Sequence, residues 1–408
     1  MKKSSLFGRF FALAVLAIAG CSSSAAKDSL AEMFDPSASE CNSPPRFLVF
    51  AGGGSPRNNE IALEKNVLYF QRTLRELGYN PSDADVFFAN GITGEATVRY
   101  INEQRLQQFK VPQIPHLIGA STLLNFQQWM QEHGAREQRD RASKKPLFFY
   151  FTGHGIPNEI LLWGGNNLTV RNFSRQLDLL PTNTPVATVM AQCFAGTFAD
   201  FIYQDGDRTK SLSPQMRCGF FATIRTRPSV GCTPEVDESD YKDYSSSFFA
   251  GLSGRSRTGE PVDSADYNQD GIVSYSEAHA FSKIDMQTMD MPISTLETWL
   301  QEQMNNREKS KVVNQKIVDI LPTARPEQER VVNFIVRRFN FNPQQSFRQN
   351  LRRLPQDLRQ NDEITIAYLM RLRMELLNIA QEKAVRESDN ETAIAILNRL
   401  LRCEQGSW

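Results

Sequence analysis

Two short apolar runs, each halted by one reactive side chain, constrain this chain more than any other feature in it. Leu147-Phe148-Phe149-Tyr150-Phe151 stops at Thr152-Gly153-His154-Gly155, and Val186-Ala187-Thr188-Val189-Met190-Ala191 stops at Gln192-Cys193-Phe194-Ala195-Gly196. Runs this short, bounded by polar and glycine residues, predict buried parallel strands. In open α/β sheets chemistry gathers at the carboxyl ends of the strands. A His and a Cys held there can meet in space across 38 intervening residues. An imidazole beside a thiol is what makes a thiolate at neutral pH.

The surrounding pattern fits such a sheet. Residues 46–51 carry Phe-Leu-Val-Phe and predict a first strand, which runs into Gly52-Gly53-Gly54-Ser55. The next glycine is Gly78 and no Gly-Lys-Ser/Thr follows, so the spacing of a nucleotide loop fails. Residues 60–77 predict a helix with Leu63, Val67, Phe70, Leu74 and Leu77 on one stripe. Further strands are expected at 85–89, 161–163 and 218–223, and helices at 123–131, 170–179, after Cys193, and at 245–252. Residues 91–115 read as an irregular excursion and 134–145 as a charged surface linker. The β-α-β alternation predicts an α/β fold, a mostly parallel sheet with helices on both faces, over 46–290. Residues 291–408 predict an all-α carboxyl-terminal domain, with 364–381 and 393–401 as its clearest helices. Basic and acidic residues interleave there, the pattern of a solvated helix face.

At 408 residues the chain has room for two domains, and a formal charge of zero gives no electrostatic case for nucleic acid. Lys2, Lys3 and Arg9 precede an apolar run at 10–19 that is too short to span a bilayer. It ends Ile18-Ala19-Gly20-Cys21, which resembles the bacterial lipoprotein cleavage box. That resemblance implies removal of residues 1–20, acylation of Cys21 and anchorage to the cell envelope. Ser22 resembles the outer-membrane pattern, which places the chain facing the periplasm or the cell surface. Residues 21–45, rich in Ser, Ala and Pro, predict a flexible tether. The expected state is a folded domain held to a membrane, not one spanning it.

Of four histidines, only His154 ends an apolar strand with glycine on both sides; His133 is expected on the surface and His116 in the irregular excursion. Phe149-Tyr150-Phe151-Thr152-Gly153-His154-Gly155 and Gln192-Cys193-Phe194-Ala195-Gly196-Thr197 resemble the two catalytic motifs of the legumain and caspase superfamily of cysteine peptidases. The three-residue step from Cys193 to Gly196 is closer to the legumain branch. The resemblance spans roughly residues 45 to 255. It implies Cys193 as nucleophile, His154 as general base and acid, and the N–H groups of Gly155 and Cys193 as an oxyanion hole. It implies Asn58 as the residue orienting His154. Gln192 departs from the acidic residue of legumains, and their specificity-pocket Arg has no match beyond Arg57. Asp237, Glu238 and Asp240 would favour a basic P1 residue, Arg225 and Arg227 an acidic one. The expected partner is a protein or peptide substrate. The alternatives are an idle caspase-like scaffold and a transpeptidase or ligase that uses the same dyad.

Asp266-Tyr267-Asn268-Gln269-Asp270-Gly271-Ile272-Val273-Ser274-Tyr275-Ser276-Glu277 fits a twelve-residue calcium loop. Its ligands would be Asp266, Asn268, Asp270, the Ile272 carbonyl, Ser274 and Glu277, with calcium as a structural cofactor. An oxidising compartment predicts disulfides among Cys41, Cys218, Cys232 and Cys403, and nearness in sequence favours Cys218–Cys232 with Cys41–Cys403.

Overall fold

A computed structural model describes residues 44–139 and 145–408. The signal segment, Cys21, Cys41 and all but the end of the tether lie outside these residues. The described residues form one compact unit. A seven-stranded sheet organises it: β1 (Arg46–Gly52), β2 (Ala84–Phe88), β3 (Leu117–Gly119), β4 (Leu147–Gly153), β5 (Val186–Met190), β6 (Arg217–Phe221) and β7 (Ile293–Ser294). Their spatial order is β7-β6-β5-β4-β1-β2-β3, and only β7 runs antiparallel to its neighbour. The chain builds outward from β1 to β2 and β3, then returns to the other side of β1 with β4. The crevice between the carboxyl ends of β1 and β4 is therefore the switch point where α/β sheets hold ligands.

Helices cover both faces, as the near-continuous apolar strands require. On one face Leu48, Phe50, Phe149 and Phe151 meet Phe126 and Trp129 of α2 (Leu123–Arg139) and Phe173 of α3 (Val170–Leu177). On the other, Phe47, Val49, Phe148 and Tyr150 meet Val67 and Phe70 of α1 (Ile61–Glu76) and Phe248 and Phe249 of α4 (Tyr244–Ser253). Each buried Phe or Leu contributes about 1.5–3 kcal/mol of transfer free energy. Helices α5 (Tyr275–Asp285) and α6 (Thr295–Glu302) extend the two faces.

Some local expectations fail. Residues 161–163 form no strand; short strands at Gly155–Ile156, Glu159–Ile160 and Leu168–Thr169 make a small sheet instead. The backbone N–H groups of Leu161 and Trp163 go singly to the carbonyls of His154 and Ser121, at 3.0 Å each, so no ladder forms there. The segment after Cys193 is a 3-10 helix, Ala195–Ile202. The excursion at 91–115 contains a hairpin, Val98–Ile101 with Gln107–Lys110. Helix α2 runs on to Arg139, and His133 is half-buried in it, stacked on Trp129 with ring centroids 3.8 Å apart.

Beyond α6 the chain is helical: α7 (Asn306–Asn314), α8 (Ile317–Ile320), α9 (Pro326–Arg338), α10 (Phe347–Arg353), α11 (Gln356–Gln360), α12 (Glu363–Arg386) and α13 (Glu391–Glu404). Ile317, Val331, Ile335, Leu372 and Leu376 form a core of their own. Met374, Leu397 and Leu400 instead join the core beside the sheet. The expected solvated charge pattern is corrected for α12, where Arg371 and Glu375 are buried. Glu375 pairs with Lys283 of α5 at 2.6 Å, and Lys283 also pairs with Glu297 of α6, so three helices share one buried ion cluster.

The disulfide expectation is also corrected. Cys218 bonds Cys403, linking β6 to α13, while Cys193 and Cys232 are free thiols. Cys218 lies near the amino end of β6, whereas Cys232 lies beyond its carboxyl end, so nearness in sequence does not become nearness in space.

Glu404 beside this bond is buried and accepts from the Thr295 hydroxyl and the Leu296 N–H, each at 2.7 Å. Burial outweighs these bonds and raises its carboxyl to about 7. Between its ordinary value and about 7, the folded state keeps a proton that the unfolded state has released. That contribution to stability is full below the ordinary value and is lost as pH rises through about 7. Replacing Glu404 by Gln, which keeps an acceptor, should flatten this slope by up to about 3 kcal/mol. Urea midpoints at several pH values check it; parallel slopes in the two proteins would contradict it.

Candidate active site

His154 and Cys193 follow the carboxyl ends of two paired strands, β4 and β5, whose last register partners are Phe151 and Met190. The Ala191 N–H still donates to the Phe151 carbonyl at 3.0 Å, so the two chains leave the sheet together. Gly155 lies against the other motif: a β-carbon there would fall 2.5 Å from Gln192 Cγ and 2.7 Å from the Cys193 carbonyl oxygen. Any other residue would push the two turns apart. Beyond the thiol, Phe194 turns sharply, with φ at +57°. Both His154 and Cys193 are partly exposed.

Glu60, not Asn58, holds the histidine. Asn58 lies exposed in a 3-10 turn, Pro56–Asn58. Two residues on, Glu60 is buried at the start of α1, and its Oε2 lies 2.9 Å from His154 Nε2. Its other oxygen pairs with Arg99. Burial pushes the Glu60 carboxyl up, but His154 and Arg99 outweigh it and hold the group below its ordinary value. Burial likewise pulls His154 down, yet Cys232 and Glu60 raise it to about 10. Glu60 alone supplies a standing negative charge at neutral pH, so His154 carries a proton there. Adjacent Asn59 is structural: its Oδ1 accepts from Gly53 N–H at 3.1 Å and its Nδ2 donates to the Thr97 carbonyl at 3.2 Å.

A loop at 228–234 reaches across both strand ends. The Ser229 N–H donates to Cys193 Sγ at 3.3 Å, and the thiol in turn donates to the Ser229 carbonyl at 3.5 Å. Three residues on, Cys232 meets His154, and its Sγ donates to the Gly153 carbonyl at 3.9 Å. The residue is exposed by surface area, yet burial pushes its thiol up more than His154 pulls it down. The loop is fixed by Val230 N–H, which donates to Asp290 Oδ1 at 3.0 Å. Glu60, Ser229 and Cys232 are site residues beyond those that the sequence motifs name. A carboxylate opening the helix after the first strand was the one available signal.

Two of the charges that bear on substrate choice, Glu238 and Arg225, are paired within the chain. Glu238 pairs with Lys65 at 3.2 Å and Arg72 at 2.7 Å. Arg225 pairs with Asp200 at 3.1 Å and Glu302 at 3.0 Å. Asp237, Asp240 and Arg57 are exposed. His116 is exposed, and His279 is buried between Tyr244 and Glu297.

The loop at 266–277 is ordered by its own side chains. Asp266 accepts from the N–H groups of Asp270 and Gly271 at 3.1 and 3.0 Å, with Gly271 at φ +88°. Asp270 accepts from Ile272 N–H at 2.9 Å. Glu277 reaches back to Tyr267 and Asn268 N–H at 2.9 and 3.1 Å, while Ser274 caps α5. Val273 is half-buried and Ile272 exposed. No helix enters the loop; α5 leaves it. The oxygen donors and the Gly271 turn keep the spacing of a calcium loop.

No protein-family model matches the chain, and no curated protein matches it either.

Proposed function

We propose that this chain is a cysteine-type endopeptidase in which Cys193 attacks a peptide carbonyl and His154 moves the proton. The observation that carries the proposal is the meeting of the two glycine-flanked strand ends, with Gly155 packed against the Cys193 carbonyl. Attack by the Cys193 sulfur gives a tetrahedral oxyanion next to the Gly155 and Cys193 N–H groups. Collapse to the thioester expels the amine, which takes a proton from His154. Water, deprotonated by the same ring, then releases the acid and restores the thiol. Glu60 supports the imidazolium throughout, and the Ser229 N–H supports the sulfur's negative charge. The substrate is a protein or peptide.

The thiol count adds a discriminating test. A mild alkylating probe at neutral pH, followed by peptide mapping, should label Cys193 well before Cys232. Preferential labelling of Cys232, or of neither, would overturn the assignment of Cys193.

In the same reading the acylated Cys21 anchors the chain to the envelope, and calcium binds at 266–277. Asp266, Asn268, Asp270, the Ile272 carbonyl, Ser274 and Glu277 would hold the ion, which supplies charge neutralisation and loop order. At a hundredfold excess over its dissociation constant, calcium should stabilise the fold by about 2.7 kcal/mol. Melting curves with calcium and with chelator check this in wild type and Asp270→Ala. An equal shift in both, or none in wild type, rules the loop out.

A further inference from the structure

The geometry points to a zinc site at the mouth of the dyad, formed by Glu60, His154 and Cys232. A carboxylate oxygen, a ring nitrogen and a sulfur from these residues all lie within 4.8 Å of one another. Among the described residues no other three His, Cys, Asp or Glu side chains converge this way.

The donor set selects the metal. Thiolate, imidazole and carboxylate together suit zinc, whereas calcium and magnesium prefer oxygen alone. With bonds of about 2.0–2.3 Å, tetrahedral ligands sit about 3.3–3.6 Å apart. Glu60 and His154 already stand 2.9 Å apart, so an ion needs them to open by only a few tenths of an ångström. The support is also built. Arg99 fixes the second oxygen of Glu60, which orients the first toward the ring. Cys232 sits on a loop pinned at Val230 by Asp290. Three protein ligands leave a fourth position open to water or to another donor.

Binding is an exchange of protons for metal. Zinc takes the Cys232 sulfur as thiolate and the Nε2 lone pair of His154, so the thiol proton and any proton on Nε2 leave to solvent. The site requires no peptidase activity. Its consequence does rest on the peptidase reading: with Nε2 bound to the ion, His154 cannot form the imidazolium that protonates the leaving amine. Zinc would then hold the enzyme silent.

Cobalt is the probe, because a cobalt–thiolate bond gives a near-ultraviolet charge-transfer band that oxygen ligands do not. The full-length protein should show this band with Co²⁺, and Zn²⁺ should abolish it at one equivalent. Cys193→Ala should keep the band and Cys232→Ala should lose it, with unchanged melting curves as the control for folding. Glu60→Gln should weaken Zn²⁺ binding by about 100-fold. Absence of the band in wild type, or its survival in Cys232→Ala, overturns the site. Loss of the band in Cys193→Ala alone also overturns it, since the metal would then sit on the other thiol. If the cobalt results hold but Cys193 resists the alkylating probe even in chelator, the zinc site stands and the peptidase reading fails.

Discussion

Cys193→Ala and His154→Ala should each lower hydrolysis of a peptide library by roughly 10⁴-fold or more, because nucleophile and proton carrier act as a unit. Neither change removes core volume, since both side chains stand at strand ends and are partly exposed. Melting curves should therefore stay close to wild type. Turnover near wild type in pure Cys193→Ala protein would refute the mechanism. Glu60→Gln gives a finer test. It keeps a hydrogen-bonding group beside Nε2 but removes the charge that favours the imidazolium. The pKa of His154, raised to about 10 in the wild type, should fall. Because the leaving amine needs the proton on that ring, the alkaline limb of hydrolysis should move to lower pH. An unmoved limb would mean that Glu60 only packs against the ring.

The second large effect concerns stability. Arg371 of α12 is buried and donates to four carbonyls: Asp290 at 2.8 Å, Met286 at 2.7 Å, Thr288 at 3.0 Å and Lys283 at 3.1 Å. Burial lowers its pKa to about 10, still far above neutrality, so it stays charged. These bonds gather the turn between α5 and β7, and Asp290 on that turn holds Val230 beside the Cys193 loop. Arg371→Met should cost about 3–5 kcal/mol, since it strands several buried carbonyls at once. It should also slow alkylation of Cys193, because Ser229 loses its anchored neighbour. Urea denaturation and probe kinetics measure the two effects. A stability loss with unchanged labelling would show that the helical segment supports the fold without reaching the site.

The strand ends were legible because a buried parallel strand must be apolar along its whole length, so Phe151 and Ala191 mark where polar chemistry begins. The ordered turn at 266–277 was legible because the spacing of its Asp, Asn and Gly residues is local. Glu60 was not, since it reaches His154 only because β4 returns to the side of β1, which no local pattern states. Asn58 fitted a motif by count, but the turn leaves it facing solvent. Cys232 was assigned to Cys218 by sequence distance, and sequence distance does not say which end of a strand a residue occupies. Arg371 looked like one charge among many on a helix. Its burial depends on the α5-to-β7 turn, some 80 residues earlier in the chain.

The Cys218–Cys403 bond joins residues 185 positions apart. It makes that stretch of polypeptide a closed ring. A single backbone cut anywhere between the two cysteines opens the ring but detaches nothing. Processing there would leave two chains tied by sulfur, with the α13 end still fastened to β6. Such a product would migrate as one species until reductant is added, and as two afterwards.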